Sequence, residues 1–437
     1  MTQDHKPLPE MDIVFTVRSP HRPGRLGKLL QVTGGEGGLV GDITTLFIGK
    51  EYSVREITIS VYDLEHQKRI EKAIKEKTEA ELIESKDTVF ENHIGGKIRS
   101  KRNRDIKSLR DLRYIYTPGV ARVCTHIQKN PETLNKYTNV GQSVGIFTNG
   151  TRVLGLGNIG PRASMPVMEG KAVIYDQFVG LSATPILVDT NDPKEFVNTV
   201  EKIAPTFAGI HLEDIRVPDC FYIEDELIKR LNQPVMHDDQ HGTATVTLAA
   251  VMSALRITGK RKDKNLTVAQ IGLGASGFGI AKLLMDWGLE VIGVDLSEIA
   301  QKRLTQHGGT PVELETALKK ADIVISSTGV PGLIKPEQIK KGQIILALSN
   351  PVPEISPEEA LGAGAAFAAD GKSVNNALAY PGLFKAALDL KAPEISSKMK
   401  IAAAEAISKL AYEHELVPSP LHKDVHKNVI QAIYDLQ

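Results

Sequence analysis

The spacing of apolar and polar positions divides this chain of 437 residues into three parts. Residues 1–90 show short strand and helix patterns, and residues 91–237 mix helices with strands. Residues 238–437 contain a regular alternation of strands and helices and end in amphipathic helices. A chain of this length can bury the cores of two or three domains. We therefore predict three domains with these boundaries.

The first part predicts a small unit with the element order βαββαβ. Strand patterns cover 12–17, 39–48, 53–62 and 80–85, and helix patterns cover 28–33 and 65–76. This order is typical of the ferredoxin-like split motif. With the turn PGRLG at 23–27 after the first strand, the unit resembles an ACT domain. The resemblance implies a regulatory domain that binds a small effector near this turn, and a unit used only for oligomerisation is the alternative.

The third part predicts a dinucleotide site on an α/β domain. Strands at 266–273, 291–295, 322–327, 343–348 and 365–368 alternate with helices at 278–287, 298–306 and 312–319, which favours a parallel, doubly wound sheet of the Rossmann type. The sequence GLGASG matches G-x-G-x-x-G between the first strand and the first helix. Its backbone amides are expected to approach a pyrophosphate at the helix N-terminus, through Gly272, Gly274, Ala275, Ser276 and Gly277.

Asp295 ends the next predicted strand, 23 residues after Gly272. A carboxylate at this place accepts hydrogen bonds from ribose hydroxyls and repels a 2′-phosphate, so the sequence predicts NAD rather than NADP as the cofactor. A solvated strand end is the alternative for Asp295.

Two acidic pairs follow apolar segments between these regions. Glu213 and Asp214 close the run 207–212, and Asp238 and Asp239 lie between His237 and His241. Side chains that follow strands in open α/β sheets lie where ligands bind. Glu213, Asp214 and one of Asp238 or Asp239 would form an all-oxygen site, which favours Mg²⁺ or Mn²⁺ over zinc. The alternative is that both pairs are solvated, and the two histidines fit supporting roles better than direct ligation.

Two more segments carry candidate chemistry. Tyr116 stands directly before Thr117-Pro118-Gly119, and Lys171 follows a glycine inside a mostly apolar stretch. A partly buried lysine near a cation loses proton affinity and can serve as a general base. On the residues alone, a core aromatic and a lysine that reaches solvent remain alternatives.

Eight motifs in sequence order carry a family resemblance. They are YTPGVA, TRVLGLGNIGP, MPVMEGK, LEDI, HDDQHGT, GLGASG, SNP and NNALAYPG. In this order they resemble the malic enzymes of the compact bacterial type, from about residue 92 to the end of the chain. The N-terminal ACT-like unit departs from most of that family. Asn149 also stands where the family often has aspartate, so we assign that position no chemistry.

The resemblance implies a role for each matching residue. The metal ligands fall on Glu213, Asp214 and Asp239. The general base falls on Lys171, which Asp238 would tune, and the tyrosine that donates a proton falls on Tyr116.

For the substrate, the resemblance points to Arg152, Asn350 and Asn376. An arginine can hold a carboxylate through two parallel hydrogen bonds. The two carboxamides would complete the same pocket.

The implied reaction is (S)-malate + NAD⁺ → pyruvate + CO₂ + NADH, with a divalent metal. Two other functions stay open. A malolactic enzyme shares this scaffold but ends at lactate, and a ligand-sensing protein could retain a vestigial site.

The composition limits the classes of partner and the compartment that we expect for this protein. The chain has 53 basic and 53 acidic side chains, which argues against nucleic acid or an anionic membrane surface as a partner. The two cysteines lack CxxC spacing, and no apolar run approaches the ~20 residues of a membrane-spanning helix. The first residues are polar, unlike a secretory signal. Together these features favour the cytoplasm. We expect a homodimer or a larger homo-oligomer that acts on a small molecule.

Overall fold

The computed structural model describes Pro9 and residues 11–153, 155–262 and 266–437; for Ser373 it describes the backbone alone. Leu154, which belongs to the TRVLGLGNIGP motif, lies outside the described residues. The chain forms two compact units, one up to Arg99 and one from Ser100 onward. The predicted division of the second unit near residue 237 stays a prediction.

The first unit has the predicted order βαββαβ. Its elements are β1 (Met11–Pro20), α1 (Arg25–Gly35), β2 (Leu39–Ile48), β3 (Tyr52–Val61), α2 (Leu64–Lys77) and β4 (Glu81–Asp87), followed by the short α3 (Thr88–Glu91). The strands form an antiparallel sheet in the order β2-β3-β1-β4. Helix α1 begins earlier than predicted, because Gly24 adopts φ +81° and turns the chain directly into the helix.

The core of the first unit lies between this sheet and its two helices. Both elements contribute fully buried aliphatic and aromatic side chains, among them Ile13, Phe15, Ile57, Ile59, Ile70 and Ile74. Strand β2 lies at the sheet edge, and all ten of its residues are exposed.

The second unit begins with three helices, α4 (Leu109–Ile115), α5 (Val120–Lys129) and α6 (Leu134–Tyr137). Every residue of these helices is described, and none of their side chains is buried. A parallel sheet with its helices follows, with the elements β5 (Ser143–Thr148), α7 (Gly160–Val179), β6 (Ser182–Leu187), α8 (Pro193–Ile203), β7 (Gly209–Leu212), α9 (Asp219–Arg230), β8 (Val235–His237) and α10 (Asp238–Thr258). The strand order is β6-β5-β7-β8.

A six-stranded parallel sheet completes the second unit. Its elements are β9 (Thr267–Ile271), α11 (Ala275–Asp286), β10 (Glu290–Val294), α12 (Glu298–Gln306), β11 (Thr310–Pro311), α13 (Leu314–Lys320), β12 (Ile323–Ser326), β13 (Ile344–Ala347), α14 (Pro357–Gly362) and β14 (Phe367–Asp370). The strand order β11-β10-β9-β12-β13-β14 is the Rossmann order 3-2-1-4-5-6, which confirms the predicted doubly wound sheet. Helices α15 (Tyr380–Asp389), α16 (Ser397–Leu410) and α17 (Val425–Tyr434) follow.

The sequence pattern predicts a turn at Met168-Glu169-Gly170 and a helix that begins at Thr243, and both predictions were wrong. Met168-Glu169-Gly170 lies in the middle of α7, which continues through Pro166. Helix α10 begins at Asp238, so both aspartates lie in its first turn. Negative charge is favourable there because the N-terminal amides of a helix carry partial positive charge.

Among the described residues, no helix combines the length and the apolar character that crossing a membrane requires.

Candidate active site

Residues that follow strands of both parallel sheets line one large cavity. It has a volume of about 1010 Å³ and lies within the second unit. Glu213 and Asp214 enter it directly after β7, and Gly272 directly after β9. Asp295 enters it after β10, and Ser327 after β12. The carboxyl ends of parallel strands are where open α/β sheets bind ligands.

Three carboxylates converge in this cavity. Oxygen atoms of Glu213, Asp214 and Asp239 all lie within 4.8 Å of one another. The backbone N–H of Asp214 donates to Oδ2 of Asp239 at 3.2 Å, which ties the β7 loop to the first turn of α10. Asp214 holds φ +55°, a left-handed conformation that residues other than glycine rarely adopt. The segment is thus bent sharply at the point where the acids meet.

This donor set fits a divalent cation. Three carboxylates at this separation repel one another unless a positive charge lies between them. Their ligand atoms are all oxygen, as Mg²⁺ and Mn²⁺ prefer. Oδ1 of Asp238, which is fully buried beside them, has no hydrogen-bond partner among the described residues. Glu213, Asp214 and Asp239 are therefore the residues that would hold the ion.

Lys171 lies against the same cluster. Its Nζ is 2.5 Å from Oδ2 of Asp238 and 3.1 Å from Oε1 of Glu213, and its side chain is 11% exposed. The ring of Tyr380 lies beneath the ammonium group, with its centroid 4.7 Å from Nζ. Helix α7 supplies the lysine, and the carboxylates come from the end of β7 and the start of α10.

Burial and charge act in opposite directions on these groups. Burial alone would lower the pKa of Lys171, but the carboxylates of Asp238 and Glu213 raise it well above its usual value. Burial raises the pKa of Glu213 to about 7, although the lysine opposes this shift. Burial likewise raises the pKa of Asp238 against the effect of Lys171. Neutralising the charge of these carboxylates would lower the pKa of Lys171 and make the lysine easier to deprotonate.

A buried histidine that the sequence analysis missed supports Glu213. Nε2 of His211 lies 2.6 Å from Oε2 of Glu213, and Nδ1 lies 2.8 Å from the hydroxyl of Tyr175. Burial lowers the pKa of His211 to about 3, so the ring is neutral near pH 7. A neutral ring donates through one nitrogen and accepts through the other, which fits Tyr175 donating to His211 and His211 donating to Glu213.

The glycine loop has the geometry of a phosphate-binding turn. Gly272 adopts φ +86°, and a Cβ atom on Gly277 would lie 1.9 Å from the carbonyl oxygen of Gly272. Gly274 precedes α11, and Ala275 and Ser276 form its first turn. All five loop positions predicted from the sequence line the cavity. The loop therefore presents the N-terminus of α11 to the space where an anion would bind.

Asp295 also lines the cavity, but the protein itself already binds both of its oxygens. Oδ2 accepts a hydrogen bond from the N–H of Leu273 at 2.7 Å, and Oδ1 accepts one from the N–H of Ser297 at 2.8 Å. Each carboxylate oxygen has a second lone pair, so ribose hydroxyls remain possible donors. The carboxylate is thus held in place by the backbone amides of Leu273 and Ser297.

The predicted substrate residues divide into two groups. Arg152 and Asn376 line the cavity, and the N–H of Arg152 donates to the carbonyl oxygen of Asp214 at 3.0 Å. Asn350 is exposed and does not line the cavity. Tyr116 also lies outside it, at the C-terminal end of α4 with 63% of its surface exposed. The structure of this single chain therefore does not bring Asn350 or Tyr116 to the other site residues.

Two family profiles match parts of this chain. A family profile described as "Malic enzyme, N-terminal domain" matches residues 96–228, and one described as "D-isomer specific 2-hydroxyacid dehydrogenase, NAD binding domain" matches residues 246–332. The protein named NAD-dependent malic enzyme 1 of Bacillus subtilis is 50% identical over 420 residues, which cover 95% of each chain.

A second relative in Bacillus subtilis, named bifunctional malic/malolactic enzyme, is 42% identical over 77% of this chain and 89% of its own. The crystal structure of a malic enzyme from Pyrococcus horikoshii matches with a TM-score of 0.74 and 39% identity, over 79% of this chain and 88% of that chain. With this degree of identity over nearly its whole length, the chain belongs to the malic enzyme family.

Proposed function

We propose that this protein is an NAD-dependent malic enzyme that converts (S)-malate to pyruvate and CO₂ with a divalent cation. One observation carries the proposal. A buried lysine contacts two carboxylates at the edge of an all-oxygen cation site, and the same cavity contains a dinucleotide loop. That arrangement supplies a base, a place for a metal and a place for a hydride acceptor around one substrate-sized space.

The chain's own residues would act in sequence. Arg152 and Asn376 hold the substrate, and Lys171 takes the proton of the 2-hydroxyl group. When bound, NAD⁺ supplies the hydride acceptor and the cation supplies positive charge for the oxygen at C2 during oxidation and loss of CO₂ from C4. Neutralisation of Glu213 by that cation would remove part of the attraction that holds the Lys171 proton. A proton delivered to C3 then completes pyruvate.

A spectrophotometric assay tests this function. Purified protein with malate, NAD⁺ and Mn²⁺ should release NADH and pyruvate in equal amounts. The similarity to a bifunctional malic/malolactic enzyme makes lactate the product to exclude. Consumption of malate with lactate formed and no free NADH would overturn the malic activity in favour of the malolactic one.

Tyr116 would protonate C3, and we propose that it reaches the cavity of a second copy of the chain. In this chain it is exposed, and it lies between two helices that expose an apolar face. Leu109 is 81% exposed on α4, and Ile115 and Val123 are also exposed. Two helices of this kind are costly to leave in water and are typical of an interface between subunits. The homodimer predicted from the sequence would cover them.

Mixed oligomers test this arrangement. Lys171→Ala and Tyr116→Phe should each be inactive alone, and refolding or coexpressing them together should restore activity, because one site then receives both intact groups. As a control, mixing Lys171→Ala with Asp239→Ala should restore nothing. Lys171 and Asp239 belong to the cavity of the same chain, so each site in the mixture still lacks one of them. No recovery in the first mixture would mean that Tyr116 acts within its own chain or does not act.

The first unit would serve regulation as an ACT-like domain. Its element order and sheet arrangement support that assignment, and Pro23 and Gly24 lead directly into α1, which includes residues 25–27. A small metabolite would bind there and bias the catalytic unit. Full-length protein should then show an effector-dependent change in malate affinity in a metabolite screen. A broad screen in which no compound changes malate affinity or melting temperature would favour a purely assembling role.

A further inference from the structure

A buried glutamate in α9 holds the segment that carries the second acidic pair. Glu224 is 4% exposed and accepts hydrogen bonds from residues on both sides of Asp238 and Asp239. Its Oε1 accepts from the backbone N–H of His237 at 2.7 Å, before the pair. Its Oε2 accepts from the side chains of Gln240 and His241, both at 3.0 Å, after the pair.

The carboxylate of Glu224 is ionised in spite of its burial. Burial raises its pKa, but His241, His237 and Lys400 more than offset that effect and lower the pKa to about 2. A buried charge of this kind is costly unless several donors bind it. Three donors from one short segment do so here, and each of them is thereby fixed in place.

A lysine from the C-terminal helices sets the direction of the hydrogen bonds. Nζ of Lys400, on α16, lies 3.0 Å from Nδ1 of His241. Burial lowers the pKa of Lys400 to about 8, which leaves it mostly protonated at pH 7. An ammonium group can only donate, so Nδ1 of His241 accepts and Nε2–H donates to Glu224. The ring orientation is therefore fixed from both sides.

The same segment packs tightly against the dinucleotide helix. A Cβ atom on Gly279, in α11, would lie 2.4 Å from the carbonyl oxygen of Gln240. The first turn of α10 thus contacts α11 through Gln240. The same turn contacts Glu224 through Gln240 and His241. Its two aspartates reach the cation site and Lys171 from that fixed turn.

We propose that Glu224 is a positioning residue that holds Asp238 and Asp239 in the geometry needed by the cation and by Lys171. This inference rests on the metal-dependent activity proposed above. Glu224 does not line the cavity, and it acts through the segment 237–241. Groups that orient metal ligands typically change metal affinity by 10- to 100-fold when they are replaced.

The test is Mn²⁺ binding by calorimetry to full-length protein without malate. Glu224→Gln should raise the Kd for Mn²⁺ by about tenfold or more, and NAD affinity should stay within about twofold of wild type because the glycine loop is untouched. A merely structural role would lower the melting temperature without separating the two affinities. Glu226→Gln is the matched control, since Glu226 lies on the same helix and forms ion pairs with Lys229 and Arg230 rather than with the segment 237–241.

If Glu224→Gln does not fold, His241→Gln removes one contact of the network, and it should still weaken Mn²⁺ binding by a few-fold. Mn²⁺ affinity within about twofold of wild type in a folded variant overturns the inference while the proposed function stands. A wild type that binds no Mn²⁺ and turns over malate in excess chelator would instead overturn the metal-dependent function itself.

Discussion

Gly242 leaves no room for a side chain beside Asp238. A Cβ atom at Gly242 would lie 1.8 Å from Oδ1 of Asp238, one helical turn earlier in α10. Oδ2 of the same carboxylate binds Lys171, so the position of the proposed base depends on the absence of one methyl group. Any residue other than glycine at 242 must push the aspartate away from the lysine.

Gly242→Ala should therefore lower kcat by about 10²-fold, the cost of displacing a reacting group by about 1 Å. NAD affinity should change little, because the glycine loop lies elsewhere. Gly362→Ala in α14 is the control. Apart from its chain neighbours and its own helix backbone, no atom of the described residues lies within 4 Å of the added Cβ, so its kcat should equal that of the wild type. Near-normal kcat in Gly242→Ala would show that Asp238 can move without consequence.

Replacing the base should stop the chemistry and leave binding intact. Lys171→Ala should reduce kcat by ~10²–10⁴, the usual contribution of a general base. Calorimetry should show NAD and Mn²⁺ affinities near wild type, because the lysine acts on a proton. A variant that retains more than about a tenth of wild-type kcat would exclude Lys171 from this role.

Removing a metal ligand should change the metal requirement. Asp239→Ala should need far more Mn²⁺ for half-maximal rate, because two carboxylates replace three around the ion. Excess EDTA should silence the wild type, and added Mn²⁺ should restore it. If Mn²⁺ affinity were unchanged in Asp239→Ala, Asp238 would be the ligand instead.

Cofactor choice should follow the charge at the end of β10. Asp295→Ser with Leu296→Arg removes repulsion of a 2′-phosphate and adds a guanidinium group, and Leu296 is fully exposed beside the cavity. The ratio of kcat/KM for NADP to that for NAD should rise. Because Asp295 also accepts from Leu273 and Ser297, Leu296→Arg alone separates the added charge from disturbance of the loop. A wild type that already prefers NADP would contradict the role given to Asp295.

A buried histidine in the C-terminal helices should make stability depend on pH. His426 stacks on Phe178, neither ring nitrogen has a hydrogen-bond partner among the described residues, and burial lowers its pKa from 6.5 to about 4. The unfolded chain binds this proton at higher pH than the folded chain, so stability falls as pH drops below about 6.5 and continues to fall until about 4. Between pH 7.5 and pH 5, the histidine lowers the free energy of unfolding by about 2 kcal/mol.

Urea unfolding of His426→Leu at these two pH values measures that contribution. The free energy of unfolding should fall by about 2 kcal/mol less in the variant than in the wild type. Equal losses in both proteins would mean that the imidazole is protonated at its ordinary pH in the folded state.

Residues that carry chemistry within short linear motifs were predictable from the sequence. The glycine loop, Asp295 and the pair Glu213 and Asp214 each follow a predicted strand, and Asp239 follows an apolar segment. All of these residues line the same cavity. Lys171 was found through its family motif, because an isolated lysine in an apolar stretch has no distinctive spacing. The doubly wound parallel sheet was predictable because its strands and helices show their own periodicities, but the short edge strand β11 was not predicted.

The supporting residues were not predictable, because they come from distant elements. Glu224 gives one faint signal: it takes a position on the buried face of α9, with Cys220, Ile223 and Leu227. A charge on an apolar face indicates a buried partner, but the sequence does not say which one. His211 alternates with apolar residues of β7 and looks like any core position until Tyr175 and Glu213 are seen around it.

Because the backbone at Asp214 is left-handed, the proposed cation would also stabilise the folded chain. A residue with a Cβ atom in this conformation costs on the order of 1 kcal/mol, and three neighbouring carboxylates add repulsion to that cost. The folded chain stores this energy at one loop, and an ion that binds there only in the folded state would compensate for it. At a hundredfold excess over its Kd, such an ion stabilises a protein by about 2.7 kcal/mol. Scarcity of the metal would thus shorten the lifetime of the protein as well as slow its turnover.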